Sequence, residues 1–335
     1  MAPSRDPVVM MATAVKDVDP AAVPAAGALC VESAEAQARA PTGRRTAFDP
    51  QLAVLSFQTI GGEQPIVVYD SPSARAPTVL VAPALGIEAG YYRRLCEQLA
   101  ESGVNAAVVD QPGAGASPVR AARGVEWGYD DLAEHYRSAL AALADAGYEG
   151  IHLLGHSIGG QAGLMIPKRQ LSMLQGVVLV ASGAPYWRLF PRRHGLYYRA
   201  GMKLIAAVTQ LLGYYPGHQM GFGGRQARQL ILEWTHAGST GQYQLGRFDG
   251  DARLAEEGPP VLAICLQGDE LAPEPAMRQT LDKLHRRVVT FETWTSAPHG
   301  GDHNRWPSEP SWVVERVKRF VGLLDERPAS AASRA

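Results

Sequence analysis

The sequence predicts an α/β fold, with a mostly parallel central sheet of about eight strands flanked by helices and a helical cap insertion. Three observations predict it. Short apolar runs alternate with helical patterns from about residue 48 to residue 325. One strand-to-helix junction carries Gly155-His156-Ser157-Ile158-Gly159. The alternation breaks once, from about Ala184 to Gly258, over a stretch too long for a loop in a compact domain.

Taken in order, residues 1–47 are rich in Ala and Pro and poor in large apolar residues. Such a segment cannot bury enough surface to offset its ordering entropy, so a disordered tail is expected there and again at 326–335. Strands are expected at Leu52–Ile60, Ile66–Asp70, Thr78–Ala82, Ala106–Asp110, Ile151–Leu154, Val177–Ala181, Val261–Gln267 and Val288–Thr293. The central runs are apolar on both faces, as strands covered by helices on both sides must be. Helices are expected around Tyr92/Leu95/Cys96/Leu99, around Leu132/Tyr136/Leu140/Leu143, and from Val313 to Leu324. Their apolar residues recur at spacings of three and four and draw one stripe along each helix. The expected organisation is therefore one core in two parts, 48–183 and 259–325, with the insertion 184–258 between them.

Composition limits the partners. The chain has 335 residues, 46% hydrophobic and 19% charged, with a net charge of −1. Without a basic run there is no electrostatic reason to expect nucleic acid or an anionic membrane. No stretch approaches the ~20 apolar residues of a membrane span. Cys30, Cys96 and Cys265 are scattered and odd in number, which builds neither a disulfide framework nor a paired metal site. Met1 to Ala40 carries Asp6, Lys16, Asp17 and Asp19 and lacks the apolar run of a secretory signal. The expectation is a cytoplasmic protein that needs no metal and no organic cofactor. Gly113-Ala114-Gly115 follows a strand, but Pro118 stands where a dinucleotide site needs its third glycine.

The pentapeptide around Ser157 is a weak signal in a chain with 35 glycines. Its plain alternative is a glycine-rich turn with no chemistry. Context strengthens it, because it follows an apolar strand and opens a helix. A serine held on so sharp a turn needs small neighbours, here Gly155 and Gly159, and the helix start points free N–H groups at charge developing beside it.

With these residues in view, the region from about 75 to 324 resembles the α/β-hydrolase superfamily. It is most similar to a bacterial serine-hydrolase subgroup related to serine aminopeptidases. The matching pieces are Val81-Ala82-Pro83-Ala84-Leu85-Gly86 with Tyr91-Tyr92-Arg93, Asp110 to Ser117, Gly155 to Gly160, Gly213 to Gly217, and Asp269 to Pro273. The resemblance implies a nucleophile, acid and histidine in that order: Ser157, Asp269 and His303. Glu270 is the alternative acid and His299 the alternative histidine. It also implies an oxyanion hole made by the backbone N–H of Ile158 and Leu85, with Pro83-Ala84 replacing the family's usual His-Gly. Asp302 stands where that family commonly has glycine and is expected to act on the histidine. His156, beside the nucleophile, is expected to pack rather than react.

The implied activity is cleavage of an ester or thioester of a small, largely apolar substrate through an acyl-enzyme. The other reading is a non-hydrolytic member: a biosynthetic cyclase, an acyltransferase or a ligand-binding pseudoenzyme. Among the aromatics of the insertion, Tyr186, Trp187, Tyr214 and Trp234 are the expected lining of an apolar pocket over Ser157, against the plainer expectation that they pack cap helices together.

Overall fold

In the computed structural model, residues 51–167, 172–245 and 248–323 are described. The tails expected at 1–47 and 326–335 lie outside them, as does Cys30. Eight strands form one sheet: β1 (Gln51–Thr59), β2 (Gly62–Asp70), β3 (Thr78–Ala82), β4 (Asn105–Val108), β5 (Ile151–His156), β6 (Leu174–Val180), β7 (Val261–Leu266) and β8 (Val289–Trp294). Their order across the sheet is β1-β2-β4-β3-β5-β6-β7-β8. β1–β2 and β2–β4 pair antiparallel, and every pair from β4 onward is parallel.

The parallel strands are apolar on both faces because both faces are covered. In β5, Leu153 belongs to one buried cluster and Leu154 to the other; in β6, Val177 and Leu179 alternate with Val178 and Val180 in the same way. Helices α1 (Arg93–Glu101) and α7 (Ser311–Phe320) cover one face through Leu95, Leu99, Val313 and Val317. Helices α2 (Tyr129–Asp145), α3 (Ile158–Leu164) and α6 (Glu274–Leu281) cover the other through Leu132, Tyr136, Leu140, Ala162 and Met277. Burial of one such aliphatic or aromatic side chain contributes roughly 1.5–3 kcal/mol, so these two layers carry most of the stability.

Between β6 and β7 the chain builds α4 (Arg192–Leu212) and α5 (Arg228–Thr240), which pack on each other. The sequence reading saw helices here and no strand. The described residues also include two short antiparallel pairs, Tyr214–Pro216 with Arg225–Ala227, and Gln244–Leu245 with Phe248–Asp249. Strands of two or three residues show no period-2 pattern, which is why they escape a reading based on periodicity.

Candidate active site

β5 enters the site fully buried, and the chain turns at once into α3. Ser157 stands at that turn with φ 54° and ψ −122°, a left-handed conformation unusual for a residue with a Cβ. Strain of this kind costs about 1–3 kcal/mol and persists only when the surroundings enforce it. They do. A Cβ on Gly155 would lie 2.2 Å from the Gly160 Cα, and one on Gly159 would lie 2.3 Å from the Ala82 oxygen. α3 therefore sits against β3 and β5 at a distance only glycine allows, and its N–H groups are brought to the serine.

The loop after β8 supplies the next group. His303 lies with Nε2 2.9 Å from Ser157 Oγ and Nδ1 2.8 Å from Asp269 Oδ2. Asp269, 3% exposed, sits on the loop after β7. Its Oδ1 accepts N–H bonds from Leu271 at 2.8 Å and Ala272 at 2.9 Å. A buried carboxylate needs such partners. With Oδ1 committed to the backbone, Oδ2 is free to accept from the imidazole, which fixes the tautomer with Nε2 facing the serine hydroxyl.

The alternatives raised from sequence are not in this line. Glu270 is exposed. His299, in the left-handed region at φ 56°, has Nε2 3.2 Å from Ser308 Oγ and 3.4 Å from Glu309. Asp302 accepts the Asn304 and Arg305 N–H groups through Oδ1, at 2.9 and 3.1 Å, and so shapes the loop that carries His303.

The loop after β3 completes the ring around Ser157. The Ala84 N–H donates to the Tyr92 hydroxyl at 2.9 Å, leaving Leu85 as the next amide on the loop. Leu85, Ile158, Ser157 and His303 line one small cavity of about 90 Å³. Gly86, at φ 72°, holds this loop against the insertion, where a Cβ would be 2.4 Å from the Gly223 carbonyl oxygen.

Of the four aromatics expected over the serine, Trp234 lines this cavity, and Tyr186, Trp187 and Tyr214 do not. The Trp187 indole donates to the Ser239 carbonyl and faces the Arg188 and Arg199 guanidinium groups; Tyr214 lies under Arg225. Tyr186 packs at Gly241. Instead, Tyr198 and Phe222 line the cavity, with Phe222 against Trp234 at 5.7 Å between ring centroids. Helical phase decides which side of α4 and α5 faces the core, and the sequence does not fix how the insertion is seated.

Two further residues were read as packing only. His156 is completely buried, with Nδ1 2.7 Å from the Tyr92 hydroxyl and Nε2 2.9 Å from the His303 carbonyl oxygen. The carbonyl can only accept, so Nε2 carries the proton and Nδ1 accepts from Tyr92. Burial pushes the His156 pKa well below the usual value, which holds the ring in this neutral form. Ala84, Tyr92, His156 and His303 thus form one hydrogen-bonded chain joining the loop after β3 to the loop after β8. The signal in the sequence was a histidine at the end of a mostly apolar strand, which needs partners for both nitrogens when buried.

Among the described residues no helix is long and apolar enough to cross a membrane. Residues 73–216 match a protein-family model described as serine aminopeptidase, S33. The chain is 28% identical over 268 residues to "Putative carbamate hydrolase RutD" of Agrobacterium fabrum, covering 77% of this chain and 98% of that protein. Among solved structures it resembles proline iminopeptidase of Mycobacterium smegmatis (TM-score 0.55, 18% identity, 80% of this chain and 97% of that one). It also resembles the carboxylesterase CesB of Bacillus subtilis (TM-score 0.52, 17% identity, 82% and 93%). Likenesses at these identities speak to the fold.

Proposed function

Given the α/β-hydrolase fold, we propose that this chain is a serine hydrolase cleaving an ester or thioester of an apolar acyl group through an acyl-enzyme. The observation that carries this reading is the unbroken hydrogen-bond line Ser157–His303–Asp269, opening into a cavity walled by Ile158 and Leu85.

The chemistry follows from the geometry. Ser157 Oγ attacks the carbonyl carbon while its proton passes to His303 Nε2, and Asp269 stabilises the resulting imidazolium. The carbonyl π electrons move to oxygen, where the Ile158 and Leu85 N–H groups receive the charge; one such donor is typically worth 10²–10³ in rate. The intermediate collapses, the bond to the leaving oxygen or sulfur breaks, and His303 returns the proton to it. A water then attacks the acyl carbon with His303 as base. Collapse releases the acid and restores the Ser157 hydroxyl. The segment between β6 and β7 serves as a cap, bringing Trp234, Phe222 and Tyr198 over the reacting carbon and reducing the water around it.

A carbamate is a second reading, favoured by the name of the Agrobacterium relative. The same steps would carbamoylate Ser157 and then hydrolyse it. The test is labelling by a fluorophosphonate probe followed by turnover of matched ester, thioester and carbamate substrates. Wild type is expected to label, and Ser157→Ala and His303→Ala to lose both labelling and turnover. A folded wild-type protein that takes no label would sink the serine-hydrolase reading. Turnover of the carbamate alone would replace the ester reading by the carbamate one.

A further inference from the structure

The cavity that holds Ser157 has a larger neighbour. A second one, of about 520 Å³, lies between the start of α4 and the ends of β7 and β8. Its walls include Phe190, Tyr197, Leu266, Pro273 and Thr293, and Asp269 also lines it. Tyr198 and Leu271 line both cavities, so the two are separated by a partition two side chains wide. Pockets for small organic ligands run from ~300 to ~1,000 Å³. The larger cavity falls in that range and the 90 Å³ one falls well below it.

Gly201 supplies an independent observation. It lies within the 21-residue helix α4, where glycine is the least favoured of the ordinary residues. Gly195, in the same helix, has a reason to be glycine, because a Cβ there would meet the Trp187 carbonyl oxygen at 2.5 Å. Gly201 has none of that kind. Its φ is not in the left-handed region, and a Cβ there would meet nothing within 4 Å. What Gly201 does is line the larger cavity and leave it open.

Resting on the hydrolase reading above, we propose that the larger cavity is the binding site for the apolar arm of an elongated acyl substrate. The arm runs from Ser157 past Tyr198 and Leu271 into the space under α4. Tyr198 is stacked on Phe190 with ring centroids 4.7 Å apart, and the arm passes where that pair turns aside. Leu271 is less free, since its N–H is held by Asp269. The substrate class is an unbranched, uncharged acyl chain rather than an acetyl group. Glu270 and Glu274 on the same cavity wall disfavour an arm that ends in a carboxylate.

The experiment combines kinetics with direct binding. Wild type and Gly201→Trp are assayed on nitrophenyl esters from acetyl to dodecanoyl, and decanoate is titrated calorimetrically into Ser157→Ala with and without Gly201→Trp. Wild type should favour the long chains, and Gly201→Trp should lower the long-to-short ratio of kcat/KM at least tenfold and abolish decanoate binding. Gly201→Leu, with a smaller side chain in the same space, should show an intermediate loss and serves if the tryptophan variant does not fold. A ratio unchanged by both variants, or equal decanoate binding with and without them, overturns the proposal. No turnover of any ester, with decanoate binding still lost in the variants, removes the hydrolase reading and keeps the binding site.

Discussion

Tyr92 carries one hydroxyl that serves two loops. It accepts from Ala84 and donates to His156, which in turn holds the His303 backbone. All of it is buried, so nothing solvates these groups when a partner is removed. Tyr92→Phe leaves the ring in place and deletes only the oxygen. It strands one N–H and one imidazole nitrogen, at a cost of about 1–3 kcal/mol for an unmade buried bond. We expect a lower melting temperature and, because the loops bearing Leu85 and His303 lose their common tie, a fall in kcat larger than any change in KM. A loss of stability with kcat intact would reduce this chain to packing. The same network shows where sequence reading stops. Ser157 could be named because it stands between an apolar strand and a helix, and Asp269 and His303 because the stretches around them resemble those of a known family. Tyr92 and His156 lie inside such patterns, where their spacing says only that they are buried.

At the level of elements, Glu233 decides how the insertion is seated. It lies on α5, is 6% exposed, and accepts the Tyr129 N–H at 2.7 Å and the Gln229 amide at 2.9 Å. Gly128 is required beside it, since a Cβ there would be 2.5 Å from the carboxylate. The insertion is thereby tied to the N-terminus of α2. Burial holds the Glu233 pKa above the usual carboxylate range, and the two donated bonds offset only part of that rise. Glu233→Ala removes the acceptor and leaves the Tyr129 N–H unmet. It should destabilise the protein by about 1–3 kcal/mol and increase proteolytic nicking between β6 and β7 under native conditions. Equal nicking of variant and wild type would show that other contacts hold the segment. None of this was legible beforehand. The strands β3, β5, β6 and β7 announce themselves because parallel strands are apolar on both faces, whereas the seating of α4 and α5 depends on single polar contacts between residues far apart in the chain. That is also why, of the four aromatics expected there, Trp234 lines the cavity at the serine while Tyr186, Trp187 and Tyr214 lie elsewhere.

For the whole molecule, buried histidines contribute to the response to acid. His135 packs against Phe57, has Nδ1 2.7 Å from Thr59 Oγ1, and is 1% exposed. Burial pushes its pKa from 6.5 to about 4. Burial likewise lowers His152, and lowers His156 well below its usual value. In the unfolded chain these rings take protons near pH 6.5, while the folded protein keeps them neutral. Below 6.5 the unfolded state binds more protons, so stability falls as pH drops, until the folded groups titrate too. For His135 the window runs from 6.5 to about 4, and 2.5 units correspond to roughly 3 kcal/mol. The melting temperature should therefore decline steadily across that interval, and His135→Gln should flatten the decline. An unchanged slope in the variant would assign acid sensitivity to other groups.

The line from Ser157 to His303 joins residues 146 apart, while that from His303 to Asp269 spans only 34. Closing the longer span requires β6, β7 and β8 to have taken their places, and such distant pairings come late in folding. A chain made from its N-terminus therefore displays the serine turn long before the histidine loop exists. Until the last loops dock, the growing chain holds the Ser157 hydroxyl without the His303 imidazole that faces it in the finished fold.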